Sequence, residues 1–72
     1  MKNDLAIYTP FIRLKDALKF AGATENGAMA KQAVIEGKVL VNGEICTQSG
    51  KKRVPGDTFL YQGQEYLITN ED

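Results

Sequence analysis

Histidine is absent from the chain, and serine (Ser49) and cysteine (Cys46) each occur once. Without histidine, no serine–histidine or cysteine–histidine nucleophilic pair can form within the chain, which excludes hydrolysis of that type. One cysteine permits no internal disulfide, and no ligand cluster has the spacing of a structural zinc site, so neither a metal nor a cofactor is expected. A reducing, cytoplasmic setting follows. Long apolar runs are also missing, and Met1-Lys2-Asn3-Asp4 lacks the basic-then-apolar order of a signal peptide; neither export nor membrane insertion is expected. Gly50-Lys51 has the ending of a phosphate-binding P-loop, but Ile45 stands where the first glycine belongs and Lys52 where a serine or threonine would bind magnesium. The carboxylates are scattered singly, as solvated surface groups are, and none forms a dyad. Nothing points to catalysis.

What is present suits one small folded domain. The 72 residues are 43% hydrophobic and 25% charged, ordinary for a globular chain and too apolar for disorder. A chain of this size buries only about 60% of the surface its unfolded form exposes, so the core must be thin and a deep pocket is not expected. Nine basic and nine acidic residues give zero net charge, yet they are unevenly spread. Residues 13–53 hold eight basic residues (Arg13, Lys15, Lys19, Lys31, Lys38, Lys51, Lys52, Arg53) against four acidic ones, for a net of +4; the remainder carries −4. One end of such a dipolar molecule can meet an anion while the whole stays neutral.

Residues 1–11 read as a lead or edge strand through Leu5 and Ile7, residues 12–69 as a single domain, and residues 70–72 as a frayed tail. Thr9-Pro10 either opens a helix or marks a turn before one that begins near Arg13 or Leu14. Leu14, Ala17, Leu18 and Ala21 follow helical spacing, with Lys15 and Lys19 one turn apart on a neighbouring face and Gly22 as a left-handed stop. A second helix, capped by Thr24 or Asn26, presents Met29, Ala30, Ala33 and Val34 as its apolar stripe and ends at Gly37. Val39-Leu40-Val41, Asn42-Gly43 and Glu44–Thr47 form a hairpin, on which Cys46 reads as a small buried hydrophobe. Gln48–Arg53 has no periodicity and reads as an exposed basic loop. Val54-Pro55-Gly56-Asp57 has the residues of a type II turn, and Thr58–Tyr61 with Gln64–Thr69 makes a second hairpin through Gln62-Gly63. The fold class is α+β: two short packed helices against a small, mainly antiparallel sheet.

In this order of elements, Gly37-Lys38-Val39-Leu40-Val41-Asn42-Gly43 and the later Gly56-Asp57 resemble the S-four RNA-binding domain, named for a small-subunit ribosomal protein. The resemblance covers about residues 12–61. Its opening Arg-Leu-Asp is similar to Arg13-Leu14-Lys15 followed by Asp16, and its Ala-Arg-Gln to Ala30-Lys31-Gln32. Gly27-Ala28-Met29-Ala30-Lys31 resembles the small free-standing bacterial YaaA- and YbcJ-type group. Asn26-Gly27 stands where larger members carry Ser-Arg, and Gln48-Ser49-Gly50-Lys51-Lys52 where the small group is rich in arginine.

The resemblance implies a non-catalytic module that binds structured RNA, ribosomal or transfer, through its phosphates, with the ribosome as a further partner and no membrane. It implies that Arg13 forks onto a phosphate while Lys15, Lys31, Lys51 and Lys52 act as point charges, with Lys19, Lys38 and Arg53 as outer members. Amides at Asn26 and Gly27 would face phosphate at a helix N-terminus. Phe20, Phe59, Tyr61 and Tyr66 fall in apolar patterns and are expected in the core, leaving no stacking platform for single-strand readout. The alternative is a protein-interaction adaptor that uses the hairpin edge and Tyr61 or Tyr66.

Overall fold

Seven strands and two helices follow one another in a computed structural model that describes residues 2–70: β1 (Lys2–Ile7), β2 (Ile12–Arg13), α1 (Leu14–Phe20), α2 (Gly27–Ile35), β3 (Val39–Val41), β4 (Glu44–Ile45), β5 (Lys52–Arg53), β6 (Thr58–Tyr61) and β7 (Gln64–Asn70). Five strands make one sheet in the order β1-β7-β6-β3-β4, and β2 with β5 makes a separate antiparallel pair. Only β1 and β7 run parallel in the larger sheet; the other neighbours are antiparallel. No described helix is long and apolar enough to cross a membrane.

Sheet register explains the core. Paired residues share a face, so Val39 opposite Tyr61, Val41 opposite Phe59, and Leu5 opposite Ile68 point to one side. That side is covered by Leu14, Ala17 and Leu18 of α1 and Ala30, Ala33 and Val34 of α2 in one continuous apolar cluster. Phe59 is its largest fully buried side chain, stacked on Tyr66 with ring centroids 4.9 Å apart. The other face of the sheet has no helix on it and carries Leu40 and Leu60 half-buried, with Ile45 exposed.

Turn chemistry sets the connections. Both hairpins turn through two residues of positive φ, Asn42 (51°) with Gly43 (86°) and Gln62 (52°) with Gly63 (77°), the mirror-image geometry that matches strand twist. Asn42 also accepts a hydrogen bond from the Thr58 amide at 2.9 Å and donates to Asp57 at 3.2 Å. Asp57 in turn accepts from the Val54 amide at 2.9 Å. The Asn-Gly and Gly-Asp pieces of the sequence motif are thus two halves of one hydrogen-bonded clasp that holds the first hairpin to the Pro55-Gly56 turn.

Several expectations need correction. Of the two readings of Thr9-Pro10, the helix opening is overturned, since β2 intervenes before α1, while the other agrees with the structure: residues 8–10 bend and the helix begins at Leu14. Strand β4 stops at Ile45, because Cys46 makes its last bond back to Val39 and the chain then leaves for β5; Cys46 is consequently half-buried beyond the strand, its thiol 3.8 Å from the Gln48 carbonyl. Met29 is exposed, because the buried stripe of α2 is Ala30, Ala33 and Val34 and Met29 falls on its flank. Asn70 is the last residue of β7, paired with Ile7, so it does not fray; residues 71–72 of the expected tail lie outside the described residues.

Helix α2 begins with a side-chain cap. Asn26 has extended backbone, and its side-chain oxygen accepts from the Met29 amide at 2.8 Å. Thr24, the other candidate, is buried and donates its hydroxyl to the Asn26 carbonyl. Asn26→Ala is expected to cost about 1 kcal/mol, read as a lowered melting temperature in a circular-dichroism melt, whereas Thr9→Ala in the exposed bend should change it little.

Candidate functional site

The basic stretch near residue 50 is no free loop. Helix α1 starts without a side-chain cap, because Arg13 occupies that position and has no acceptor to offer. Its first amides are satisfied from outside: Leu14 donates to the Lys51 carbonyl at 3.1 Å and Lys15 to the Ser49 carbonyl at 3.0 Å. Arg13 adds a guanidinium bond to the Gly50 carbonyl at 2.8 Å. The β2–β5 pair then sets Arg13 opposite Lys52 and Ile12 opposite Arg53. A segment without periodicity is thereby fastened to the head of a helix through three of its carbonyls.

This fastening gathers charge. Lys52 places its ammonium 4.6 Å from the centre of the Phe11 ring, and the Arg13 guanidinium lies 5.9 Å from the same centre. Cations over an aromatic face are attracted by its quadrupole, so one ring holds two positive groups that would otherwise repel. Lys15 and Lys51 are joined to the same junction through the backbone bonds already given. Among the described residues, no carboxylate forms a salt bridge with Arg13, Lys15, Lys51 or Lys52. The i+3 pairing of Arg13 with Asp16 is not made; the guanidinium turns to Gly50 instead.

The other candidates are placed differently. Arg53 is half-buried, its Nε on the Lys52 carbonyl at 2.8 Å and 3.9 Å from Asp57, which makes it part of the clasp. Lys38 pairs with Glu36 at 2.9 Å on the flank of α2 that also carries Gln32. The Gln32 amide, then the Lys38 ammonium, hold the Glu36 carboxyl below its ordinary range, and the same hydrogen bond raises Lys38. This contact is present at neutral pH and is lost as pH falls through the lowered Glu36 pKa. Lys31 lies on the opposite flank of α2, one turn beyond Gly27, exposed and with no described carboxylate on it. Asn26 and Gly27 follow a loop whose Ala23 and Thr24 amides donate to the Leu18 carbonyl near the C-terminal end of α1, whereas the junction bonds to the N-terminal end of that helix. The Asn26 side chain is committed to its own helix, whereas the Gly27 and Ala28 amides bond to no described group.

Three features escape a reading by periodicity. A two-residue strand pair leaves no pattern, so nothing local reveals the β2–β5 ladder. Phe11 carries no signal for its two cations. Phe20, expected in the core, is 60% exposed, because on α1 it falls outside the stripe of Leu14, Ala17 and Leu18. Tyr8, in the bend after β1, is 78% exposed. Conversely, Tyr61 is buried and Tyr66 is half-buried against Phe59, so the tyrosines named for a protein-binding edge are not free to serve it.

The sequence profile of the S4 domain family matches residues 5–69. The chain is 43% identical over 59 residues to "Putative RNA-binding protein YbcJ" of Escherichia coli (strain K12), an overlap covering 82% of this chain and 84% of that one. It is 38% identical over 63 residues to "Probable ribosome maturation protein RlbA" of Bacillus subtilis (strain 168), covering 88% and 89%. Its fold is similar to the solution structure of YbcJ from E. coli, described as revealing an ALFAL motif involved in RNA-binding, with a TM-score of 0.67 and 35% identity over 94% of this chain and 85% of that one.

Proposed function

The chain belongs to the S4 domain family, and from that premise we propose that it is a non-catalytic module binding structured RNA, ribosomal or transfer, in the cytoplasm. The observation that carries this reading is the convergence of Arg13, Lys15, Lys51 and Lys52 at the head of α1 with no described carboxylate paired to them. Cations fixed on folded backbone present a pattern to phosphates at known spacing, and shape-specific recognition of RNA relies on such contacts. Lys19 and Lys31 extend the surface along the helices, and the free Gly27 and Ala28 amides add the positive end of the α2 dipole. Lys38 and Arg53 drop to supporting roles, since each already has a carboxylate beside it. The names of the similar proteins support the same reading, and that of RlbA favours ribosomal RNA as the target.

Direct titration tests it. Filter binding of the full chain to a ribosomal RNA fragment and to transfer RNA should show affinity at least about tenfold tighter than to unstructured polyuridylate of equal length, since a fixed cation pattern suits fixed phosphates. Equal affinity for all three would refute recognition of folded RNA.

A further inference from the structure

A groove of about 540 Å³ runs beside α1, lined by Ile7, Thr9, Ile12, Asp16, Lys19 and Phe20. Its size is within the range of about 300–1,000 Å³ typical of small-molecule sites. The walls are apolar, through Ile7 and Ile12, and aromatic, through Phe20, whose ring is mostly exposed. Two opposite charges stand on the same rim. Asp16 and Lys19 lie three residues apart on α1, where an ion pair would ordinarily form, yet neither makes a salt bridge with any described residue. The groove therefore offers a π-face, a free carboxylate and a free ammonium together.

We propose that this groove holds one unpaired guanine nucleotide of the bound RNA. This rests on the RNA reading above and adds a base-specific contact to it. Stacking on Phe20 would suit any base, because every base has a π-face. The carboxylate selects among them: guanine alone presents two adjacent N–H donors on its pairing edge, N1–H and the 2-amino group, which the two oxygens of Asp16 can accept in parallel. Adenine, cytosine and uracil each set an acceptor beside their donor and would face the carboxylate with repelling lone pairs. Lys19 then meets the nucleotide's phosphate. Lys19 is also one helical turn from Lys15, so the groove adjoins the cationic junction and a single RNA can reach both. A peptide side chain filling the groove would use its apolar walls and leave both charges without a role.

The test uses the ¹⁵N-labelled full chain and the four 5′-mononucleotides as separate probes in two-dimensional NMR titrations. GMP is expected to shift the amides of Thr9, Ile12, Asp16, Lys19 and Phe20, with binding about tenfold tighter than AMP, CMP or UMP. Asp16→Asn should bring GMP to the level of the others, and Phe20→Leu should weaken all four by about five- to tenfold. Both side chains are exposed, so the variants should remain folded. Equal binding of the four nucleotides, an Asp16→Asn variant indistinguishable from wild type, or equal groove shifts from N-acetylleucinamide at the same concentration would each overturn the proposal. Shifts confined to Arg13, Lys15, Lys51 and Lys52 would overturn it while leaving the phosphate surface standing. Alanine at those four cations should lower affinity for folded RNA by about 100-fold without moving the GMP response of the groove, so the two readings fail separately.

Discussion

Alanine at Arg13, Lys15, Lys51 and Lys52 together is expected to lower affinity for structured RNA by about 100-fold or more at about 50 mM salt, because each cation removed abolishes the counterion release of one phosphate contact. The loss should fall on binding and spare the fold. Arg13, Lys51 and Lys52 are exposed and Lys15 half-exposed, and the bonds that fasten the junction at Leu14 and Lys15 are made by backbone groups that alanine retains. Only the Arg13 bond to Gly50 and the two cations over Phe11 are lost from the folded state. Lys38→Ala serves as the internal comparison: its ammonium is already on Glu36, and binding should change by no more than about twofold. An unchanged melting curve with collapsed binding in the quadruple variant, measured by filter binding and circular dichroism, is the expected pair of results. Binding within about threefold of wild type would remove the junction from the interface.

The largest effect on stability is expected at Phe59. It is 1% exposed, lies between Val41 and Tyr66 in the sheet register, and stacks on Tyr66 with the rings 15° from parallel. Phe59→Ala removes that stacking and opens a cavity under both helices, at a cost of about 3–5 kcal/mol. A domain of this size has only about 4–11 kcal/mol of stability in total, at ~0.05–0.15 kcal/mol per residue. Urea unfolding should therefore show a transition shifted far toward zero denaturant or a chain already unfolded in buffer. Phe59→Leu, which keeps most of the volume, should lose about 1–2 kcal/mol and stay folded. A midpoint for Phe59→Ala close to wild type would mean that the core is centred elsewhere.

Legibility in the sequence followed the range of the interaction. Elements set by a local repeat or by a turn dipeptide were readable: the Leu14, Ala17, Leu18 and Ala30, Ala33, Val34 stripes bury as spaced, and Asn42-Gly43 and Gln62-Gly63 turn where their residues allow positive φ. Elements set by a partner far along the chain were not. The start of α1 has no side-chain acceptor at Arg13, and its first amides are met instead by the carbonyls of Ser49 and Lys51, more than 30 residues away. Membership in a two-residue ladder likewise depends on register with a distant segment and leaves no mark in Lys52-Arg53 itself. For Phe20 the signal is helical phase, which differs from that of Leu14 and Leu18 and sets the ring outside the buried stripe despite its aromatic character. Of the candidate cations, charge alone could not separate Lys38, which has Glu36 two residues before it, from Lys51 and Lys52, which have no described acid on them.

Salt dependence of binding tests the central claim most directly, because it counts the phosphates that the fixed cations meet. With about four neutralised, the logarithm of affinity for structured RNA should fall against the logarithm of salt concentration with a slope near −3, a loss of roughly 50- to 100-fold between about 50 and 200 mM, and the quadruple variant should flatten that line. A slope near zero for the unaltered chain, or one that the four substitutions leave unchanged, would contradict it.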